Sequence, residues 1–261
     1  MKKNIIPTIC MALIAPFALS ACQSEKSKKA DTIQTLQFMT YNIRNGLGMD
    51  NVRNIDRIVP VIQKQNPDVL AIQELDSANT RSEGKYVLGI LGERTQMYAT
   101  YAPAIDYAGG KYGVGMLSKE KPVNFEYHAL PGREEQRTFL MVEFKDYIYC
   151  CTHISLTPED QVLSLPIINE LTAKYKKPVI IAGDMNSHPD SEFIQGLQKS
   201  FTLVSPADVM TYPADIPTET IDYIAIHHKD TAKVKATSSQ VVNEPLASDH
   251  RPIIATISIK K

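Results

Sequence analysis

Apolar positions along the chain fall into short runs with two periods. Residues 36–41 (LQFMTY) alternate apolar and polar, the signature of a half-buried strand. Across residues 52–65, Ile55, Ile58, Val59 and Ile62 recur three to four apart, which predicts a helix with one apolar face. Pro67-Asp68 ends it, and the continuous run at 69–72 (VLAI) reads as a strand buried on both faces. A second helix is predicted over 85–95. Strands follow at 97–101, 113–118, 123–130, 137–144 and 147–152. Residues 158–175 read as a helix with Thr157 as its N-cap and Pro158 in its first turn. Pro166 inside that segment is expected to kink or break it. The pattern closes with a strand at 179–182, a short helix at 191–199, and strands at 221–226 and 252–259. Many strands with few crossover helices imply an α+β domain, with two packed, largely antiparallel sheets and helices outside. The sequence shows no internal repeat and no linker to divide this unit.

The N-terminus stands apart. Lys2 and Lys3 precede an uncharged, mostly apolar stretch over 5–21 that Pro7 and Pro16 interrupt, a secretory signal rather than a membrane span. It ends in Leu19-Ser20-Ala21-Cys22, which resembles a bacterial lipobox. That resemblance implies cleavage before Cys22, acylation of its thiol and a lipid-anchored protein of the cell envelope, on the periplasmic face or the cell surface. The alternative is an ordinary signal followed by a chance cysteine. The reading divides the chain into a signal peptide (1–21), a flexible tether (22–33) whose QSEKSKK stretch has nothing apolar to fold, and a folded domain (34–261).

Cleavage there leaves 240 residues carrying 26 basic and 29 acidic side chains, a formal net charge of −3. No basic stripe follows the tether. Non-specific nucleic-acid binding draws its affinity from neutralised phosphates, so the composition argues against a processive nuclease. Cys150 and Cys151 are adjacent on a predicted strand, where successive side chains point to opposite faces. They read as buried strand residues, with a vicinal disulfide as the alternative.

Polar residues at strand ends are where a rigid scaffold can fix chemistry. Six such places recur: Thr40-Tyr41-Asn42-Ile43-Arg44, Gln73-Glu74, Thr152-His153, Gly183-Asp184-Met185-Asn186, Ile221-Asp222-Tyr223-Ile224 and Ser248-Asp249-His250-Arg251-Pro252. Taken singly, each is ordinary: Asp-x-Asn is usually a turn, and a lone histidine is usually a satisfied structural side chain. In this order, from about 36 to 259, they resemble the deoxyribonuclease I-like endonuclease/exonuclease/phosphatase superfamily.

The resemblance implies a four-layered α/β sandwich with its site at one end, and a metal-dependent hydrolase of phosphoric esters. Carried over residue by residue, Asn42 and Glu74 would hold a divalent cation, with Asp249 contributing directly or through water. Hard oxygen donors suit Mg²⁺ or Mn²⁺. His250 would take the proton of the attacking water, oriented by Asp222, as histidine titrates near neutral pH. Asp184 and Asn186, two apart and so on one side of an extended backbone, would flank the water and the phosphate. The competing scheme makes Asp184 the base. His153 would donate to a phosphate oxygen or the leaving group, and Arg137 would add positive charge there or stand as a surface arginine.

The expected substrate is a small phosphodiester, a phosphomonoester or a lipid headgroup, handled by a monomer whose membrane contact is its N-terminal anchor. An envelope nuclease is the alternative; nucleic acid is possible but not favoured, because no basic, duplex-embracing loops are found. A catalytically inactive binding lipoprotein is a further alternative, against which the intact site residues speak.

Overall fold

The computed structural model describes Met1 and residues 32–261. The signal, Cys22 and nearly all of the tether lie outside the described residues. The described fold begins at β1 (Ile33–Asn42), whose first residue already pairs with Lys260.

Strands β1, β2 (Val69–Ser77), β3 (Tyr98–Tyr107), β4 (Gly110–Ser118), β11 (Val234–Val241) and β12 (Ile253–Lys260) form one sheet in the order β11-β12-β1-β2-β4-β3. Strands β5 (Asn124–Leu130), β6 (Arg137–Glu143), β7 (Ile148–His153), β8 (Val179–Asp184), β9 (Phe201–Leu203) and β10 (Asp222–His227) form the other, ordered β5-β6-β7-β8-β10-β9. Each sheet is mixed, and both share one pattern. A parallel central pair, β1 with β2 and β7 with β8, is flanked on either side by antiparallel strands.

Helices α1 (Ile58–Gln65) and α2 (Val87–Thr95) cover the first sheet, and α3 (Pro158–Ala173) and α4 (Glu192–Leu197) cover the second. The central strands are therefore buried on both faces, which is why 69–72 and 179–182 are unbroken apolar runs. Alternate residues serve different layers. Phe38, Val69 and Ala71 meet Leu140, Tyr149 and Ile180 between the sheets, while Met39, Leu70 and Ile72 face Ile62, Leu88 and Leu91 of the helices. The adjacent cysteines obey the same alternation. Cys151 packs between the sheets and Cys150 under α3 and α4, and both are free thiols. Burial pushes the Cys151 thiol up to about 12, so it is inert at neutral pH.

Three local expectations change. Helix α1 does not begin at 52. The Asn54 side chain accepts from Asp56 N at 3.0 Å and starts a 3₁₀ turn (Ile55–Arg57) that leads into it. Helix α3 runs through Pro166 unbroken; the proline lies on the exposed face, where the carbonyl it leaves without a donor can reach water. Thr157 occupies the N-cap position, but its hydroxyl donates to Glu134 instead of capping the helix. Strand β11, polar along KATSSQ, has no apolar run to announce it and forms a sheet edge.

The topology decides where chemistry can gather. The two parallel pairs end at one edge of the sandwich, and the antiparallel neighbours β10 and β12 begin there. Asn42, His153 and Asp184 end their strands, Asp222 starts β10 in register with Asp184, and His250 precedes β12.

Candidate active site

The predicted residues from both sheets converge on this edge. Asn42, buried at the end of β1, donates through its Nδ2 to Glu74 Oε1 at 3.1 Å and to Asp184 Oδ2 at 2.9 Å, linking the two sheets. Its Oδ1 accepts from the Arg44 backbone N at 3.0 Å. This network fixes the carboxamide: turning it over would set its oxygen against two carboxylates and its NH₂ against an N–H. In this arrangement the Asn42 carboxamide orients the Glu74 and Asp184 carboxylates.

Glu74 sits at φ 58° where the register of β2 against β4 slips between Ile72 and Leu75. A bulge with a left-handed, non-glycine residue costs conformational energy and re-aims one side chain. Here it turns the Glu74 carboxylate into the cleft. Burial raises the Glu74 pKa, and the charges of Asp249 and Asp184 add to the rise against the Asn42 hydrogen bond. Asp249 is paired with Arg44 Nε at 3.2 Å.

His250 Nδ1 lies 2.9 Å from Asp222 Oδ2, and its Nε2 lies 3.6 Å from Asp184 Oδ2. The ligating atoms of Asp184, Asp222 and His250 all fall within 4.8 Å of one another. Burial works against a proton on His250, but the charges of Asp222, Asp184 and Asp249 outweigh it and hold the imidazole up to about 10. The surrounding carboxylates thus favour the protonated imidazole. His153, with Nε2 3.5 Å from Asp184 Oδ2, goes the other way: burial takes it down to about 4, so it is neutral. Asp184 Oδ2 thereby faces Asn42 and both imidazoles.

Strand β8 can end beside β7 because residue 183 is glycine; a Cβ there would sit 2.0 Å from the Thr152 carbonyl oxygen. Beyond it the backbone is not extended, contrary to the two-apart expectation. Asn186 has φ 45°, and its N donates to Asp184 Oδ1 at 2.9 Å, an Asx turn. Its Nδ2 is held by the Ile154 carbonyl at 2.9 Å. Asn186 still lines the cleft, but from the turn.

Arg137 is buried and lines the cleft too. Glu135 and Glu134 each hold one of its terminal nitrogens at 3.1 Å, and its Nε has no partner among the described residues. The surface alternative for Arg137 is therefore wrong, while its charge is largely matched by carboxylates. Arg44, Glu134, Glu135 and Ser248 were not singled out as site residues from sequence. Arg44 and Ser248 lie inside the quoted motifs, the latter donating to the Asn42 carbonyl at 2.8 Å. Only folding brings Glu135 to the cleft and Glu134 onto Arg137; in sequence the two are an ordinary charged loop pair. The resulting cleft, about 400 Å³, also takes in Tyr112, Tyr212 and Glu219.

The Endonuclease/Exonuclease/phosphatase family model matches residues 39–250. Among solved structures, an endonuclease/exonuclease/phosphatase from Bacteroides vulgatus is 17% identical, with a TM-score of 0.71 over 87% of this chain and 99% of that one. A mannosyl-6-phosphatase from Bacteroides thetaiotaomicron is 15% identical, with a TM-score of 0.67 over 85% of this chain and 99% of its own. The human Nocturnin catalytic domain with bound sulfate is 18% identical, at 0.65 over 88% and 97%. Among curated proteins, no sequence match is found.

Proposed function

The chain belongs to the endonuclease/exonuclease/phosphatase family, and from that premise we propose that it is a divalent-metal-dependent hydrolase of phosphoric esters. The observation that carries the reading is Asp184 Oδ2 in one cleft with the Asp222-bound His250, beside the carboxylates of Glu74 and Asp249. The donor set fits a hard cation. It is oxygen-rich, the two core thiols are buried inside the sandwich, and Asp222 Oδ1 is buried with no hydrogen-bond partner among the described residues. Glu74 and Asp249 would hold Mg²⁺ or Mn²⁺, with Asn42 fixing the Glu74 carboxylate. When bound, such a cation supplies charge to the phosphoryl oxygens and lowers the cost of crowding these carboxylates.

The chain's own groups then divide the proton work. Asp184 Oδ2 faces both imidazoles, and the carboxylates around His250 favour its protonated form, which supports the competing assignment: Asp184 Oδ2 accepts the proton of the attacking water. His250, kept in orientation by Asp222, directs its charged Nε2–H at the developing negative charge. Neutral His153 donates beside it, and Asn186 and Arg137 border the phosphate. With Arg137 matched by Glu134 and Glu135, and Glu219 also at the cleft, little unpaired positive charge is left there to hold a phosphodiester polyanion, which supports a small ester or a lipid headgroup over nucleic acid.

Purified chain from residue 23 onward should hydrolyse bis-p-nitrophenyl phosphate or p-nitrophenyl phosphate with Mg²⁺. Activity should vanish with chelator and return with excess metal. No turnover of either ester, of DNA or of phospholipid headgroups at millimolar Mg²⁺ or Mn²⁺ would defeat the reading. Localisation is proposed separately, on the lipobox-like end of the N-terminal segment. A fatty-acid probe fed to cells should label the wild-type chain and not Cys22→Ala; equal labelling removes the anchor.

A further inference from the structure

A second depression, about 560 Å³, lies against the catalytic cleft, on the side of α3 and α4. The two are continuous, since Leu156, Asn186 and His188 line both. Their chemistry differs. The catalytic cleft is lined by carboxylates and imidazoles, whereas Pro158, Val162, Leu163 and Phe193 give the second depression apolar walls, with Glu159 and Glu192 also on its lining.

The lip between them is built rather than loose. Leu156 is 64% exposed, yet its segment is clamped by one carboxylate. Glu134 accepts from Ser155 Oγ at 2.7 Å, from Leu156 N at 2.8 Å and from Thr157 Oγ1 at 3.1 Å. These bonds hold the Glu134 carboxyl down to about 2 although burial opposes its charge. Gln161 Nε2 adds two more ties, to the Ser155 and Asn186 carbonyls at 2.9 and 2.8 Å. Glu134 also grips Arg137 in the catalytic cleft. One glutamate thus locks a cleft arginine and an outward-pointing leucine into a single arrangement. Leu163, 56% exposed one turn into α3, continues the apolar wall. Exposed aliphatic side chains are ordinary when scattered; a clamped pair lining a groove that opens on a phosphoryl site is not.

We propose that this groove binds the hydrocarbon part of an amphiphilic phosphoric ester whose phosphate occupies the catalytic cleft. The inference rests on the phosphoryl reading of that cleft and narrows its substrate class to esters bearing an alkyl or acyl chain. Continuity commits the groove to this occupant: a chain leaving the phosphate past Leu156, with Asn186 and His188 beside it, passes directly into it.

The test separates the groove from the catalytic reading by measuring binding, not turnover. Methyl-, butyl- and octylphosphonate, whose P–C bond is not hydrolysed by such a site, are titrated calorimetrically into the chain from residue 23 onward with Mg²⁺. The affinity should tighten by about 3- to 4-fold for each methylene that is buried, with an increasingly negative heat-capacity change. Leu163→Glu and, independently, Leu156→Ser should each flatten that dependence on chain length. Equal affinity for all three phosphonates overturns the groove and leaves the phosphoryl reading standing. A chain-length gain that survives both substitutions overturns it as well, as does octylphosphonate binding that only dissociates a dimer seated on this face. Octylphosphonate binding with none for methylphosphonate or inorganic phosphate overturns the phosphoryl reading and, with it, this proposal. Failure of every probe overturns both.

Discussion

Asp184→Asn is expected to lower turnover by about 10²–10⁴-fold, the scale of a positioned acid or base, with little change in fold. Asparagine keeps the shape and can still accept from Asn186 N, so the Asx turn survives, although its NH₂ then replaces the oxygen that accepts from Asn42. What it loses is the anionic oxygen placed before both imidazoles. His250→Ala should cost a similar factor for a different reason, loss of a charged donor, and the two are told apart by pH. A group whose folded pKa is raised keeps its proton until pH passes that folded value. Rate that depends on the His250 imidazolium should therefore hold through neutrality and fall above about 10. That alkaline fall should disappear in His250→Ala and persist in Asp184→Asn. If rate in the wild type instead rises through pH 6–8 and that rise vanishes in His250→Ala, histidine is the base and Asp184 only positions the water. Stability follows the same sign. The raised pKa contributes stability fully below the unfolded histidine value near 6.5, and it is lost as pH climbs towards about 10.

The candidate residues were legible as an ordered set resembling the endonuclease/exonuclease/phosphatase superfamily; singly, polar residues at strand ends are ordinary. Asn42, Glu74, His153, Asp184, Asp222 and His250 all break an apolar pattern, and the fold brings them to one edge. Their protonation was not legible. His250 and His153 differ only in their surroundings, three carboxylates for one and burial for the other, and those surroundings exist only after two sheets pack. The fold class was readable from strand density, whereas the parallel central pairs were not, since parallel and antiparallel neighbours share the same apolar runs. Strand β11 escaped because an edge strand buries too little to need apolar periodicity. Glu134 and the Leu156 segment escaped because their meaning lies in mutual hydrogen bonds across 22 positions of sequence.

Glu74→Gln is expected to raise the Mg²⁺ requirement beyond the roughly 10–100-fold that loss of a ligand's supporting partner usually costs, with the fold intact. Glutamine retains the side-chain length and, at φ 58°, the same backbone penalty as glutamate, so the change is one of charge alone. The wild-type position is costly without a cation. Its carboxyl is buried beside Asp249 and Asp184, and its pKa is raised, first by burial and then by those charges. A raised carboxylate pKa means that ionised Glu74 opposes folding at neutral pH, and a bound cation would reverse that term. Two thermal measurements follow, neither needing turnover. In chelator, Glu74→Gln should melt above the wild type because one crowded charge is gone. On adding Mg²⁺, the wild type should gain stability with the logarithm of metal concentration, as ligand linkage requires, while the variant should stay nearly flat. A variant that loses stability in chelator and still gains it with Mg²⁺ like the wild type would remove Glu74 from the cation site. The strained bulge would then require another explanation. Both shifts together would tie the Glu74 carboxylate, which the left-handed bulge aims into the cleft, to metal binding.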